Sequence, residues 1–251
     1  MHPALIGLSA SAAIGAAVTS LGAVHPRSQL FGKTIYRTES AKQLALTFDD
    51  GPNPAITPEL LDLLDRYDAR ATFFVIGRFA RECPQLTKQI HARGHLIGNH
   101  TQTHPNLFWL SPQSVRNELR GCQEALEETL GAAAEYFRPP FGLRSPWVVS
   151  SARELGMQTV MWTLLPGDWR EKTAEWLTTR MRILAEDAAA DERKLAQNRH
   201  GHVLCLHDGG HRRLGADRYR TLAALEYWLP RWRDLGLKFV TIAEAVKTPA
   251  Y

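Results

Sequence analysis

An apolar run, Leu44 to Phe48, ends on two adjacent carboxylates and a turn, Asp49-Asp50-Gly51-Pro52. Two ionised carboxylates this close repel unless one meets a metal and the other a cation or a proton. The pair therefore calls for partners elsewhere in the chain. His100-Thr101-Gln102-Thr103-His104 offers the first. A four-residue spacing in a helical turn places both imidazoles on one side, ready to share a cation. Two histidines and one aspartate make a facial metal site with open positions, which holds water and a substrate oxygen together, as metal-assisted hydrolysis requires. Arg138-Pro139-Pro140-Phe141-Gly142 offers the second partner: a permanent cation on a stiff loop, able to neutralise the carboxylate that the metal does not. The next free backbone N–H there belongs to Phe141 and is available to a developing oxyanion. Asp168-Trp169 and His207-Asp208 supply an aspartate beside a histidine, which fixes the tautomer, raises the imidazole pKa and suits a general acid.

Taken singly, each pattern has a plain structural reading: turn aspartates in water, a coincidental histidine pair, a strand-end ion pair, a satisfied buried histidine. Their common position favours chemistry. All fall just past successive strand-like runs, where α/β barrels and open α/β sheets place their active sites. Those runs are Leu44 to Phe48, Ala71 to Ile76, His95 to Asn99, Glu135 to Arg138, Gln158 to Leu164, His202 to Leu206 and Lys238 to Ile242. Helical patterns lie between them, opened by Thr57-Pro58 and Ser111-Pro112 and stopped by Gly94, Gly131 and Gly156. Strands alternating with helices mean βα units and a parallel sheet. Asp187 to Arg199 reads as a surface extension or a longer solvated helix.

The whole chain is 251 residues, 44% hydrophobic and 22% charged, which suits one domain with a sizeable core. Cys83, Cys122 and Cys205 are odd in number and widely spaced, so they signal neither a disulfide scaffold nor a thiolate zinc site. A net charge of +4 is too weak to argue nucleic acid, and no nucleic-acid motif is present. Residues 3–24 carry no charge and could span a bilayer, which reads as a membrane anchor or export signal occupying residues 1–27, ahead of a catalytic domain at 28–251. Arg27, Lys33 and Arg37 follow that stretch, so a retained helix would favour a cytoplasmic-facing domain. No second such stretch exists, which excludes a multi-pass protein. His211, Arg212 and Arg213 are placed to touch an acidic or hydroxylated ligand, and Trp109 to stack on a sugar, if these loops are more than solvated surface.

With these motifs in order, the chain from Leu44 to Asp208 resembles the NodB-homology polysaccharide deacetylases, a carbohydrate esterase family that removes acetyl groups from sugars. Ala71-Thr72-Phe73-Phe74 and Gly94-His95-Leu96-Ile97-Gly98-Asn99 match the family's usual connecting sequence. The resemblance implies a distorted (β/α)7 barrel. It implies Asp50, His100 and His104 as ligands of a divalent metal, zinc first and cobalt, nickel, manganese or iron as alternatives. Asp49 is then the general base held by Arg138, and His207 the general acid tuned by Asp168. Phe141, Trp169, Cys205 and Leu206 would meet the substrate, an N-acetylated glycan, and the protein would be membrane-anchored or secreted at the cell envelope. The chain departs from the family's pattern at Phe141, commonly Tyr, at Leu165, often Asp, and at Cys205, usually Leu. The path from Trp169 to His207 is longer than usual. A non-sugar amidase or cyclic imidase on the same barrel, and a non-catalytic glycan-binding barrel, are the other readings.

Overall fold

The computed structural model describes residues 19–189 and 200–246. The expectations for residues 1–18 and 190–199 lie outside them. In chain order the strands are β1 (Thr34–Ile35), β2 (Gln43–Gly51), β3 (Thr72–Val75), β4 (Leu96–Asn99), β5 (Tyr136–Phe137), β6 (Gln158–Val160), β7 (His202–His207) and β8 (Lys238–Val240). The helices are α1 (Thr57–Arg66), α2 (Gly77–Glu82), α3 (Pro84–Ala92), α4 (Pro112–Leu130), α5 (Pro146–Glu154), α6 (Ala174–Ala188), α7 (Tyr219–Asp234) and α8 (Ile242–Ala245).

Among the described residues these strands pair in parallel, in the order β1-β6-β5-β4-β3-β2-β7, with β8 also on β2. Past Val160 the chain leaves β1 and runs beside β7, through the Leu164–Leu204 bridge and a Cys205 N–H bond to Leu164 O (2.9 Å). This contact and the Arg37–His202 bridge close the sheet into a distorted barrel. The Leu164 contact also explains why the expected strand 158–164 is regular only to Val160: its second half serves the closure.

Strand alternation sorts most of the strands' apolar residues into two cores, with Phe137 in a third cluster beside Leu119 and Val148. Leu44, Leu46, Phe48, Phe73, Val75, Leu204 and Leu206 face the helical layer and pack with Leu60, Leu64, Leu225 and Trp232. Ala45, Phe74, Tyr136, Val160, Val203 and Cys205 fill the barrel interior. Gly98 is required there, because a Cβ would stand 2.5 Å from the Phe74 ring.

The expected helix stops hold. Gly94, Gly131 and Gly156 have φ of +82°, +76° and +76°, a conformation that favours glycine. Ser111 caps α4, its Oγ accepting from Ser114 N (3.2 Å). Thr57 behaves differently. Its hydroxyl makes no cap bond but accepts from Asn53 N (2.9 Å) and donates to Asp208, so the start of α1 is spent on the loop behind the site.

No helix among the described residues is long and apolar enough to cross a membrane. Residues 19–24 are helical, and the chain after them is fastened to the barrel. Arg144, 2% exposed, donates to Gly22 O (3.2 Å), His25 O and Ser28 O (3.0 Å), while its backbone N–H reaches Ala23 O (3.1 Å). Part of the stretch assigned to an anchor segment thus lies against the barrel.

Candidate active site

Asp49 and Asp50 end β2, and a regular strand would point them to opposite faces. The register against β3 slips between Asp49 and Gly51, and Asp50 takes φ +71°. This bulge turns both carboxylates towards the mouth. Asp49 stays in strand register opposite His207. Its Oδ1 accepts from Arg138 Nη1 (2.8 Å), which also donates to Thr47 Oγ1 (2.7 Å). Arg138 is wholly buried, its Nη2 bonded to Met161 O (3.1 Å) and its guanidinium 4.3 Å from the centre of the Phe74 ring.

Asp50 meets the two histidines. Its Oδ1 lies 3.2 Å from His104 Nε2 and 3.5 Å from His100 Nε2. The expected helical turn is absent: residues 100–104 are a loop in which Thr101 and His104 have φ of +69° and +63°. Local hydrogen bonds hold that shape in place of a helix, with Thr101 N on Asn99 Oδ1 (2.8 Å), His104 N on Thr101 Oγ1 (3.0 Å) and Gln102 N on Glu118 O (2.9 Å).

The donor set fits a divalent cation. Asp50 Oδ1 is buried with no hydrogen-bond partner, and the ligand atoms of Asp50, His100 and His104 lie within 4.8 Å of one another. His100 Nδ1 is 2.8 Å from Arg138 O, which fixes the tautomer that leaves Nε2 free. Burial pushes the His104 pKa down, towards the neutral, ligating form. Burial alone would raise that of Asp50, but the facing imidazoles of His100 and His104 hold it well below the usual carboxylate range. Asp49, Cys205 and His207 also bring donor atoms within 4.8 Å, but Arg138 already occupies Asp49 and would oppose a second dication there.

His207 Nδ1 lies 2.8 Å from Asp168 Oδ1. Asp168 Oδ2 accepts from His207 N (2.8 Å) and Thr221 Oγ1 (2.9 Å), so the carboxylate is fixed on both oxygens. Burial disfavours the imidazolium, yet the charge and hydrogen bond of Asp168 outweigh it and carry His207 to about 9. The exposed Trp169 ring stands edge-on to His207 at 5.1 Å. Asp208 is buried against Gly51 and Thr57, and burial raises its pKa to about 7.

Phe141 sits at φ +58° with its ring exposed and 4.8 Å from His104. Cys205 and Leu206 do not line the mouth together as expected. Cys205 points into the barrel, where Sγ touches Asp49 Oδ2 (3.4 Å) and Arg138 Nη1 (3.5 Å). Leu206 alternates outward into the helical layer. Sequence reasoning gave no role to Thr47, which opens the Thr47-Phe48-Asp49-Asp50-Gly51-Pro52 motif, or to Thr221, which stands in none; their hydroxyls hold Arg138 and Asp168. It gave His211 only a general ligand contact, whereas the ring stacks on His104 at 4.6 Å with Nδ1 3.9 Å from Asp50 Oδ2.

Residues 36–160 match the model of the polysaccharide deacetylase family. A peptidoglycan-N-acetylglucosamine deacetylase of Bacillus cereus is 35% identical over 206 residues, covering 82% of this chain and 89% of the relative. The chain belongs to the polysaccharide deacetylase family. A chitooligosaccharide deacetylase of Azorhizobium caulinodans is 34% identical over 214 residues, covering 82% of this chain and 96% of its own length. Among solved structures, the Bc1960 peptidoglycan N-acetylglucosamine deacetylase superposes with a TM-score of 0.74 at 30% identity, covering 86% of this chain and 93% of that one. BA3943 of Bacillus anthracis, a pseudoenzyme of carbohydrate esterase family 4, superposes at 0.72 with 27% identity over 86% of this chain and 69% of its own. Activity in this family therefore has to be argued from the site as well as from the fold.

Proposed function

We propose that this protein hydrolyses the acetamide of N-acetylglucosamine units in a polysaccharide or oligosaccharide, releasing acetate and leaving the amine. The observation that carries the reading is the separation of the two carboxylates, Asp50 among the imidazoles and Asp49 on Arg138. This gives one carboxylate to a metal and leaves the other as a base. Asp50, His100 and His104 are the ligands. Their donor set takes zinc, cobalt, nickel, manganese or iron, and zinc is our choice. When bound, the metal polarises the acetyl carbonyl and acidifies a water.

Asp49 accepts the proton of the attacking water as the carbon–oxygen bond forms. Arg138 pairs with that carboxylate and aims it, with Cys205 Sγ against its second oxygen. The Phe141 N–H stabilises the charge gathering on the carbonyl oxygen. His207, held protonated by Asp168, gives its proton to the nitrogen as the carbon–nitrogen bond breaks. Trp169 packs on the sugar beside His207. The relatives that act on peptidoglycan and chitooligosaccharides support a substrate at the cell envelope, and we assign the domain to that compartment with residues 1–27 as its anchor or export segment.

Acetate release from N-acetylglucosamine oligomers and from peptidoglycan, by full-length protein stripped of metal and reloaded, tests the reading. Metal-restored release that Asp49→Asn abolishes is expected. Release confined to small non-sugar amides, or glycan binding without any acetate, would overturn it.

A further inference from the structure

The mouth of the barrel has two unlike walls. Past β4 and β5 the loops carry aromatic rings, with Trp109 78% exposed, Phe141 56% and Trp147 38%. A bond from Trp147 Nε1 to Leu110 O (3.2 Å) joins these loops. Past β3, β6 and β7 the chain carries Arg78, Arg170, Arg212, Arg213, Arg218 and Arg220 instead. These strands bound one continuous arc, since β2 joins β3 to β7 and the Leu164–Leu204 bridge joins the continuation of β6 to β7.

Among the described residues no carboxylate oxygen lies within 4.0 Å of any of the six, whereas Arg66, Arg81 and Arg93 on the outer helices are each paired, at 3.2, 2.7 and 2.6 Å. The arc is held by main-chain contacts instead: Arg78 Nη2 donates to His211 O and Arg212 O, and Arg220 Nη1 to Arg170 O. Arg78 Nε and Arg218 Nε are buried without partners. Arg170, Arg212 and Arg213 are exposed, beside Trp169 and His211. Glu171 and Asp217 share these loops but neutralise none of the six.

Unpaired guanidinium groups beside a site create a standing positive potential, and guanidinium is the side chain best shaped for carboxylate recognition. A neutral chain of N-acetylglucosamine leaves that wall without a partner. We propose that the arginine arc reads a carboxylate on the sugar next to the acetylated one, so that the preferred glycan is anionic. The rings of the opposite wall take the uncharged sugar faces. The arginines are specificity residues that steer and orient the chain, and the inference rests on the deacetylase reading above.

The test uses the metal-loaded full chain and three tetrasaccharides: chitotetraose, an alternating N-acetylglucosamine and N-acetylmuramic acid tetrasaccharide, and the methyl ester of the latter. The free acid is expected to exceed its ester in kcat/KM by about tenfold at low salt, an advantage that salt erodes. Arg212→Gln/Arg213→Gln, and separately Arg170→Gln, should shrink the acid-to-ester ratio severalfold and leave chitotetraose turnover unchanged. Equal turnover of acid and ester by the unaltered chain, or a ratio that neither variant moves, overturns the inference. It is likewise overturned if the double variant loses sedimentation with phosphatidylglycerol vesicles while its acid-to-ester ratio stays constant, which would assign the arc to a lipid surface. No acetate from any of the three substrates would strike the deacetylase reading itself.

Discussion

Arg138 and Asp49 face each other inside the barrel, Nη1 to Oδ1 at 2.8 Å, with the guanidinium wholly buried and the carboxylate 4% exposed. A buried pair of this kind is costly to break from one side, because the remaining charge stays out of water. Arg138→Met is expected to lower unfolding free energy by about 3–5 kcal/mol in urea titrations. Asp49→Asn should lower kcat by roughly a hundredfold or more with metal content unchanged, the loss of a general base. Metal analysis alongside kinetics checks both halves.

The second prediction concerns pH. Asp168 holds His207 near 9, so the imidazolium contributes stability that is fully present below about 6.5 and lost as pH rises through about 9. In the proposed mechanism the same proton goes to the leaving amine, so activity should fall on that alkaline limb. Asp168→Asn removes the charge and leaves the burial, which moves the limb to lower pH. A pH–rate profile of kcat/KM with an unmoved alkaline limb in this variant would remove His207 from the acid role.

Chelation supplies the third. Removing metal should abolish acetate release and lower the melting temperature, since the buried Asp50 Oδ1 and its facing imidazoles lose their shared cation. His104→Ala should bind the metal at least tenfold more weakly than the unaltered chain, a cost of more than about 1.4 kcal/mol in affinity. Calorimetric titration of the stripped protein measures this.

The fourth lies behind the site. Burial raises Asp208 to about 7, so the folded chain favours its protonated form. Stability from this group is fully present below about 3.8 and is lost as pH rises through about 7. Asp208→Asn stays neutral throughout and should therefore gain stability relative to the unaltered chain as pH rises from about 3.8 to about 7, with no further gain above. Parallel urea midpoints across that interval would refute the shift.

The polar ends of the strands were legible because each strand feeds its last residues into the same mouth. Thus Asp49, Asp50, His100, His104, Arg138, Asp168 and His207 could be named from one string. How the carboxylates divide their work depends on the backbone bulge at Asp50, which the motif does not spell. The histidine loop shows the same limit: a four-residue spacing satisfies a helix and also a loop with two left-handed residues, and only the Asn99, Thr101 and Glu118 hydrogen bonds select the loop. Leu206 was misplaced because a strand buried on both sides gives no polar alternation from which to read its faces. Thr47, Thr221 and Arg144 act through contacts distant in sequence, and nothing near them in the chain announces the partner.

Arg144 stands three residues after Phe141 and grips three carbonyls between Gly22 and Ser28. The leading chain and the loop beside His104 are thereby one mechanical unit. A load on the polypeptide ahead of Gly22 is borne by a buried guanidinium before it reaches any strand, and it arrives at the segment that carries the Phe141 N–H. A protein cut at residue 28 would leave that guanidinium without its Gly22 and His25 carbonyls, so the point at which the enzyme can be detached from whatever precedes it lies upstream of Gly22.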